Sequence, residues 1–210
     1  MSPPSASSRS RRSCRECRRP DDGRVVGCGA WRLRQTGAHK MVNTEGVDSF
    51  SERLRLHPFT VEEARRVVDR RPNETDRWAL DYPFEDELDA LRRFVANADG
   101  PSAGHPFTLY RIDELSTGRA VGGLGFFGRP DADGVAELGY GLVPSARGQG
   151  FATEALRLAL VIAESAGAKR VVADTSAENL ASQKVLLKAG FVEQTREGDL
   201  LFYAIELLRD

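Results

Sequence analysis

Beyond residue 28 the chain has no cysteine: Cys14, Cys17 and Cys28 are the full complement. Disulfides and thiol catalysis are thereby excluded from the body of the protein. Long hydrophobic runs are missing as well. The longest purely apolar stretch, Leu158 to Ala163, is six residues, against the ~18 or more that a membrane-spanning helix needs. The residues after Met1 are Ser, Pro and Arg rather than the apolar core of a secretory signal, so a cytoplasmic protein with no membrane partner is expected. What is present is ordinary for a globular chain: 40% hydrophobic and 29% charged residues, with 20 glycines. At 210 residues the length suits one domain of ~150 residues with an appendage.

The formal charge of −1 conceals a division. Residues 1–40 carry ten basic side chains, nine Arg and Lys40, against Glu16, Asp21 and Asp22, a net of +7. The other 20 basic and 28 acidic side chains leave −8 on the body. An acidic body repels a phosphate backbone, which disfavours nucleic acid as a partner and favours a cationic small molecule or basic peptide. Residues 1–45 are read as a basic, disordered arm and residues 50–210 as the folded domain. All the cysteines fall in the arm, and with His39 they follow a C-x2-C-x10-C-x10-H spacing that could close a zinc site. The surrounding Ser, Arg, Pro and Gly offer little to pack around a metal. A disordered tail, or an upstream segment ahead of a start at Met41, is preferred, and no metal is expected. Pro3, Pro4 and the glycines also argue against the amphipathic helix of a transit peptide.

From residue 50 onward two periodicities alternate. Arg53 to Pro58 reads as a strand with Leu54 and Leu56 inward; Thr60 and Glu63 have capping-box spacing for a helix through Arg71, stopped by Pro72. A second helix covers Glu85 to Asn97, with Leu88, Leu91, Phe94 and Val95 on one stripe. Phe107–Ile112, Ala120–Phe127 and Val135–Val143 read as antiparallel meander strands separated by the turn signals Ser116-Thr117-Gly118 and Asp133-Gly134. A helix over Phe151–Ala166, a strand over Lys169–Asp174, a helix over Glu178–Phe191 with Gly190 as its C-cap, and a final strand over Leu200–Leu207 complete the pattern.

The stretch from Glu137 to Leu158 runs strand, glycine-rich turn, helix. Pro144 ends the strand, Gly148 and Gly150 permit close backbone approach, and the open amides of a helix N-terminus attract phosphate. Arg147 adds a cation. There is no Gly-Lys-Ser/Thr ending, so this is not a Walker A loop, and the spacing is not that of a dinucleotide fingerprint. An ordinary tight connection remains the alternative on these residues alone.

Arg147-x-x-Gly150-x-Ala152, followed by Asn179-x-x-Ser182 and Lys188-x-Gly190-Phe191, resembles the paired acyl-CoA motifs of the GNAT superfamily of N-acetyltransferases. Thr153-Glu154-Ala155 together with serine at position 182 is similar to the RimJ/RimL-type branch, which acetylates protein N-termini and, in other members, small amines. The likeness runs from about Arg53 to Leu208. It implies an α/β (α+β) fold: a mixed, mostly antiparallel sheet, splayed between the strand ending at Val143 and the strand at Val171, and flanked by helices. It implies acetyl-CoA as co-substrate, with pantetheine pairing near Leu142 and Val143. The pyrophosphate is then expected at Arg147, Gly148, Gln149, Gly150, Phe151, Ala152 and Thr153, with Asn179, Ser182 and Lys188 completing the donor site. Relatives often dimerise, which leaves a homodimer open.

An amine must lose a proton to attack a thioester, and the departing sulfur needs a proton or a hydrogen bond. By family analogy Glu137 is the expected base; a carboxyl of ordinary pKa about 4.3 must be raised by its surroundings, or work through a water. Tyr140 falls on the opposite strand face by parity and is read as packing or acceptor pocket. The resemblance also marks a departure: many family members carry a tyrosine acid where this chain has Leu186. Ser182 or Tyr203 is expected in its stead, or departure as the free thiolate. Acceptor pockets in the family are walled by the first two helices, and here Asp76, Trp78, Asp81, Tyr82, Glu85 and Asp86 cluster between them. Carboxylates among aromatics suit a cationic amine, with Trp78, Asp81, Tyr82 and Tyr140 as its contacts; a solvated acidic loop is the alternative.

The expected activity is acetyl transfer from acetyl-CoA to a primary amine, on a protein N-terminus or a small molecule. The competing readings are a succinyl or longer acyl donor, a non-catalytic acyl-CoA sensor, and a zinc-dependent DNA-binding protein acting through the arm. The last requires stoichiometric zinc that disappears when Cys14 and Cys17 are replaced; metal analysis finding none ends it.

Overall fold

The computed structural model describes residues 47–97 and 105–207. The arm lies outside the described residues, and with it the expectations of disorder and of a zinc site. The domain is built on an eight-stranded sheet in the order β1-β2-β3-β4-β5-β6-β8-β7. Its strands are β1 Ser49–Phe50, β2 Leu54–Pro58, β3 Leu109–Glu114, β4 Arg119–Phe126, β5 Val135–Leu142, β6 Arg170–Ser176, β7 Val192–Glu197 and β8 Leu200–Glu206. The helices are α1 Val61–Val68, α2 Glu85–Ala96, α3 Phe151–Ser165 and α4 Leu180–Ala189. Every strand pair is antiparallel except β5 with β6. No helix among the described residues is long and apolar enough to cross a membrane.

Local chemistry accounts for most boundaries. Thr60 and Glu63 form the expected capping box, each side chain bonded to the other's backbone N–H. Helix α1 stops at Val68, before the expected Arg71. Pro72 disfavours helical backbone in the residue ahead of it, and the chain turns out through Arg70, at φ 53°. Gly190, at φ 105°, caps α4 as expected. Two strands have no counterpart in the sequence reading. The first, β1, is only two residues long. The other, β7, is exposed along its whole length, so Val-Glu-Gln-Thr-Arg-Glu carries no alternating signal.

The two sides of the sheet have different tasks. Alternation places Leu124, Leu138, Tyr140 and Leu142 on one side, where α3 packs across β2 and β5 and α4 packs on α3. The other side of β4 and β5 is a stripe of glycines, Gly123, Gly125, Gly139 and Gly141. Side chains lie directly on this bare backbone. A Cβ on Gly123 would meet the Glu87 carboxyl, and one on Gly141 the Phe84 ring. Helix α2 is thereby seated close against the strands that carry the site, at a separation larger residues would not allow.

Glu87 is held in this contact as a buried acid. Its Oε1 accepts from the Tyr82 hydroxyl at 2.9 Å, while Oε2 is buried without a partner. Burial pushes its pKa from 4.5 to about 8, against the smaller opposing effects of Tyr82 and Arg111. The carboxyl therefore stays neutral in the folded chain between those values and ionises in the unfolded chain. Stability falls as pH rises through that window. Glu87→Gln keeps an acceptor for Tyr82 and removes the titration. The variant is expected to match the native chain near pH 5 and to exceed its stability near pH 8 by about 1–3 kcal/mol, as read by urea unfolding; a constant offset at both pH values would contradict this.

Candidate active site

Strands β5 and β6 pair only at Val135–Arg170, Ala136–Val171 and Glu137–Val172. Beyond that point β5 continues on β4 to Leu142, and β6 continues on β8 to Ser176. The two strands thus part, leaving the expected splay. In an extended strand the N–H and C=O of alternate residues point to opposite neighbours. Glu137 O and Val143 N are bonded to Phe127 and Val121 on the β4 side. Leu138, Tyr140 and Leu142 therefore turn their backbone groups toward the gap. Of the two residues expected to meet pantetheine, Leu142 faces it with its N–H, its carbonyl being bonded by Arg147, while the Val143 N–H is already taken up on β4.

The glycine-rich turn closes one end of the splay. Pro144–Ala146 form a single 3-10 turn, and Gly148 (φ 77°) and Gly150 (φ 83°) hold left-handed backbone that L side chains adopt only with strain. Gly150 is the N-cap of α3 and has no side chain to bond the helix amides. The N–H groups of Phe151, Ala152 and Thr153 thus open outward beside a Gly148 whose absent Cβ would touch nothing. Arg147 is exposed and donates through Nε to Leu142 O at 3.0 Å, and Gln149 bonds back to Ser145 O. The turn fits an anionic diphosphate: free amides, a cation and no obstructing side chain.

Two contacts from distant sequence hold this turn. Asp81 bonds the Ser145 N–H at 2.9 Å and the Ser145 hydroxyl at 2.8 Å, and these bonds lower its pKa. Arg53 donates to Gln149 O, lies 4.8 Å over the Phe151 ring, and pairs with Glu154 at 2.6 Å; Ser51 also bonds Glu154. Glu154 belongs to the quoted motif, but its partners lie about a hundred positions away and no local pattern announces them.

The far wall of the splay is the start of α4. Asn179 is its N-cap, with Oδ1 accepting from Ser182 N at 3.0 Å. The Tyr140 hydroxyl crosses from β5 to the Ser182 Oγ at 2.8 Å. Leu186, where an acid is often found, is fully buried in the core. Lys188 stands in the last turn of α4, about 9 Å along the helix from Ser182. Tyr203 is buried opposite Ala173, on the sheet side away from Glu137, and its hydroxyl reaches Glu193 at 3.4 Å.

On the α2 side, Glu137 stands at the point where the strands part. It is exposed, yet desolvation by the protein around it, and then the charge of Asp174, raise its carboxyl above 4.5. Asp174 lies two residues past Val172, Glu137's partner, and so shares its face. The ring of Phe127, 62% exposed, lies over Gly139 beside them. The sequence placed Asp174 and Phe127 only at the ends of strands and gave neither a part in the site; parity on a known register is what finds them. The loop residues expected at the acceptor are otherwise engaged. Tyr82 is buried on Glu87, Asp81 holds Ser145, and Asp76 pairs with Arg66 at 2.7 Å. Trp78 meets Tyr82 edge-on at 5.5 Å, with its Nε1 buried and unpartnered. Among the described residues no cluster of His, Cys, Asp and Glu could hold a metal.

The fold is shared with known proteins. Residues 53–192 match the family described as the acetyltransferase (GNAT) domain. An uncharacterized N-acetyltransferase of Bacillus subtilis, YjdG, is 40% identical over 116 residues, covering 53% of this chain and 67% of its own. The ribosomal-protein-S5-alanine acetyltransferase of Vibrio fischeri superposes with a TM-score of 0.57 at 15% identity, over 77% of this chain and 97% of that one. The microcin C7 self-immunity acetyltransferase MccE, solved with acetyl-CoA and AMP, gives 0.53 at 16% identity, over 74% and 93%. At these identities the structures establish a shared fold; the match to the family across two thirds of the sequence goes further. The chain belongs to the GNAT acetyltransferase family and is an acyltransferase.

Proposed function

We propose that the chain moves an acetyl group from acetyl-CoA to a primary amine by direct attack on the thioester. The observation that carries this reading is the row of β5 backbone groups left open from the Leu138 carbonyl to the Leu142 N–H, ending at the uncapped N-terminus of α3. A pantetheine arm bearing two amides can complete that row as a strand would. Arg147 and the amides from Gly148 to Thr153 take the pyrophosphate, and Asn179, the N-cap of α4 on the far wall, is assigned to the same arm. The bound thioester supplies the activated acetyl carbon.

Glu137 takes the amine's proton, directly or through a water. Its raised pKa brings it closer to the task than a free carboxylate, and Asp174 beside it favours the approach of a cation. Phe127 and the bare backbone at Gly139 offer an apolar flank for the group that carries the amine. A RimJ/RimL-type acceptor, an N-terminal residue of a peptide, is supported by Ser182 and by Thr153-Glu154-Ala155. A small amine is the second reading, favoured by the carboxylate pair. Alanine- and serine-initiated peptides and spermidine, assayed for CoA release, separate the two.

Glu137→Gln is expected to lower kcat/KM with whichever amine is turned over by about 10²-fold and to leave acetyl-CoA affinity unchanged. In the native enzyme kcat/KM falls as pH drops through the raised Glu137 pKa, and the variant loses that acid limb; an unchanged rate would remove Glu137 from the chemistry. Gly150→Glu places a side chain at a left-handed position and a negative charge on the phosphate site, and acetyl-CoA binding is expected to vanish from calorimetric titrations while the thermal transition persists. Asp81→Ala frees the Ser145 turn and is expected to weaken acetyl-CoA binding by about five- to tenfold, the worth of roughly one hydrogen bond. Native affinity in Asp81→Ala would show that the turn holds its shape unaided.

A further inference from the structure

Ser182 is held at three atoms. Its N–H bonds Asn179 Oδ1 at 3.0 Å, its carbonyl lies 3.3 Å from the Tyr140 hydroxyl, and its Oγ lies 2.8 Å from the same hydroxyl. Capping α4 requires only the first of these. The other two come from β5, across the gap in which the thioester reading above places the donor, and they join the two walls that the splay separates. Both residues are partly buried, where a hydroxyl without a partner is costly and a pair is strengthened by low dielectric. Tyr140 has no part in the base chemistry, since it projects from the opposite face to Glu137.

We infer that Tyr140 is a positioning residue: its hydroxyl donates to Ser182 Oγ and thereby directs the serine O–H toward the CoA sulfur. The inference rests on the donor site proposed above. As the acetyl carbon forms its bond to the amine nitrogen, its bond to sulfur breaks and the electron pair stays on sulfur. Ser182 stabilises that charge with a hydrogen bond and gives up no proton, while the proton lost by the amine goes to Glu137 or water. The two hydroxyls in series polarise one another, so the bond to sulfur is stronger than a lone serine would make. This supplies, from a strand and a helix together, the donor that Leu186 cannot.

The test needs no acceptor. CoA itself is bound to the full chain, and its thiolate is followed by ultraviolet absorbance against pH, with CoA-free protein as the blank. A donor at sulfur makes the bound thiol titrate below its ordinary value of about 8.5. Ser182→Ala is expected to raise that titration by about one pH unit, the scale of a single hydrogen bond to a charged group. Tyr140→Phe, which keeps the ring, is expected to recover at least half of that rise, and the double variant to go no higher than Ser182→Ala alone. CoA is kept saturating for all three variants, so that the midpoint reads the bound thiol alone. A native-like titration in Tyr140→Phe, or effects of the two substitutions that add, overturns the role of Tyr140. Failure of the native chain to bind CoA strikes the donor site itself, and the inference falls with it.

Discussion

Two parallel strands that pair for three residues and then diverge create a debt of unmet hydrogen bonds, and much of this structure is arranged around it. The β5 edge beyond Glu137 is a row of donors and acceptors with no strand beside it. An open edge inside a sheet invites another chain; here the gap is bounded by α4 on one wall and by the glycine turn at its end, so a narrow amide-bearing molecule fits where a strand does not. The same divergence puts Glu137 at the apex of the opening. Donor binding and acceptor chemistry are thus set by one topological feature.

Holding that geometry falls to contacts between segments distant in sequence. Asp81 from the loop before α2 fixes Ser145, and Arg53 with Ser51 from the β1–β2 connection fix Glu154 and Gln149. The turn between β5 and α3 is therefore clamped from two directions while its amides remain open. The glycine stripe on β4 and β5 serves the same end, because Phe84 and Glu87 can lie on the strands only where no Cβ intervenes. Buried polarity is the cost. Glu87 remains neutral and half-satisfied, and Trp78 keeps an unpartnered N–H.

Much of this was legible in the residues. Alternating apolar positions, the Thr60 and Glu63 box and the Gly190 cap mark real elements, and the motif from Arg147 to Ala152 marks the turn itself. The missing strand β7 was invisible because an exposed edge strand buries nothing and so needs no pattern. Register was invisible too. Parity alone gave Tyr140 the face opposite Glu137, but not that this face meets Ser182 on α4, so the sequence left Tyr140 between packing and acceptor pocket. Acidic residues near aromatics suggested a cation pocket between α1 and α2, whereas Asp76 and Asp81 are spent on Arg66 and Ser145. A carboxylate's partner across the fold is a tertiary fact, and composition cannot distinguish a structural tie from an open charge.

The central claim is that the parted edge of β5 receives the donor as a missing strand. Amide hydrogen exchange, resolved to single residues with and without acetyl-CoA, tests it most directly. The account predicts added protection at Tyr140 and Leu142, whose N–H groups face the gap, and at the first amides of α3, with little change at Leu138, whose N–H belongs to the last β5–β6 pairing, or at Gly139 and Gly141, already bonded to β4. Protection that appears elsewhere while these amides exchange as before would contradict it.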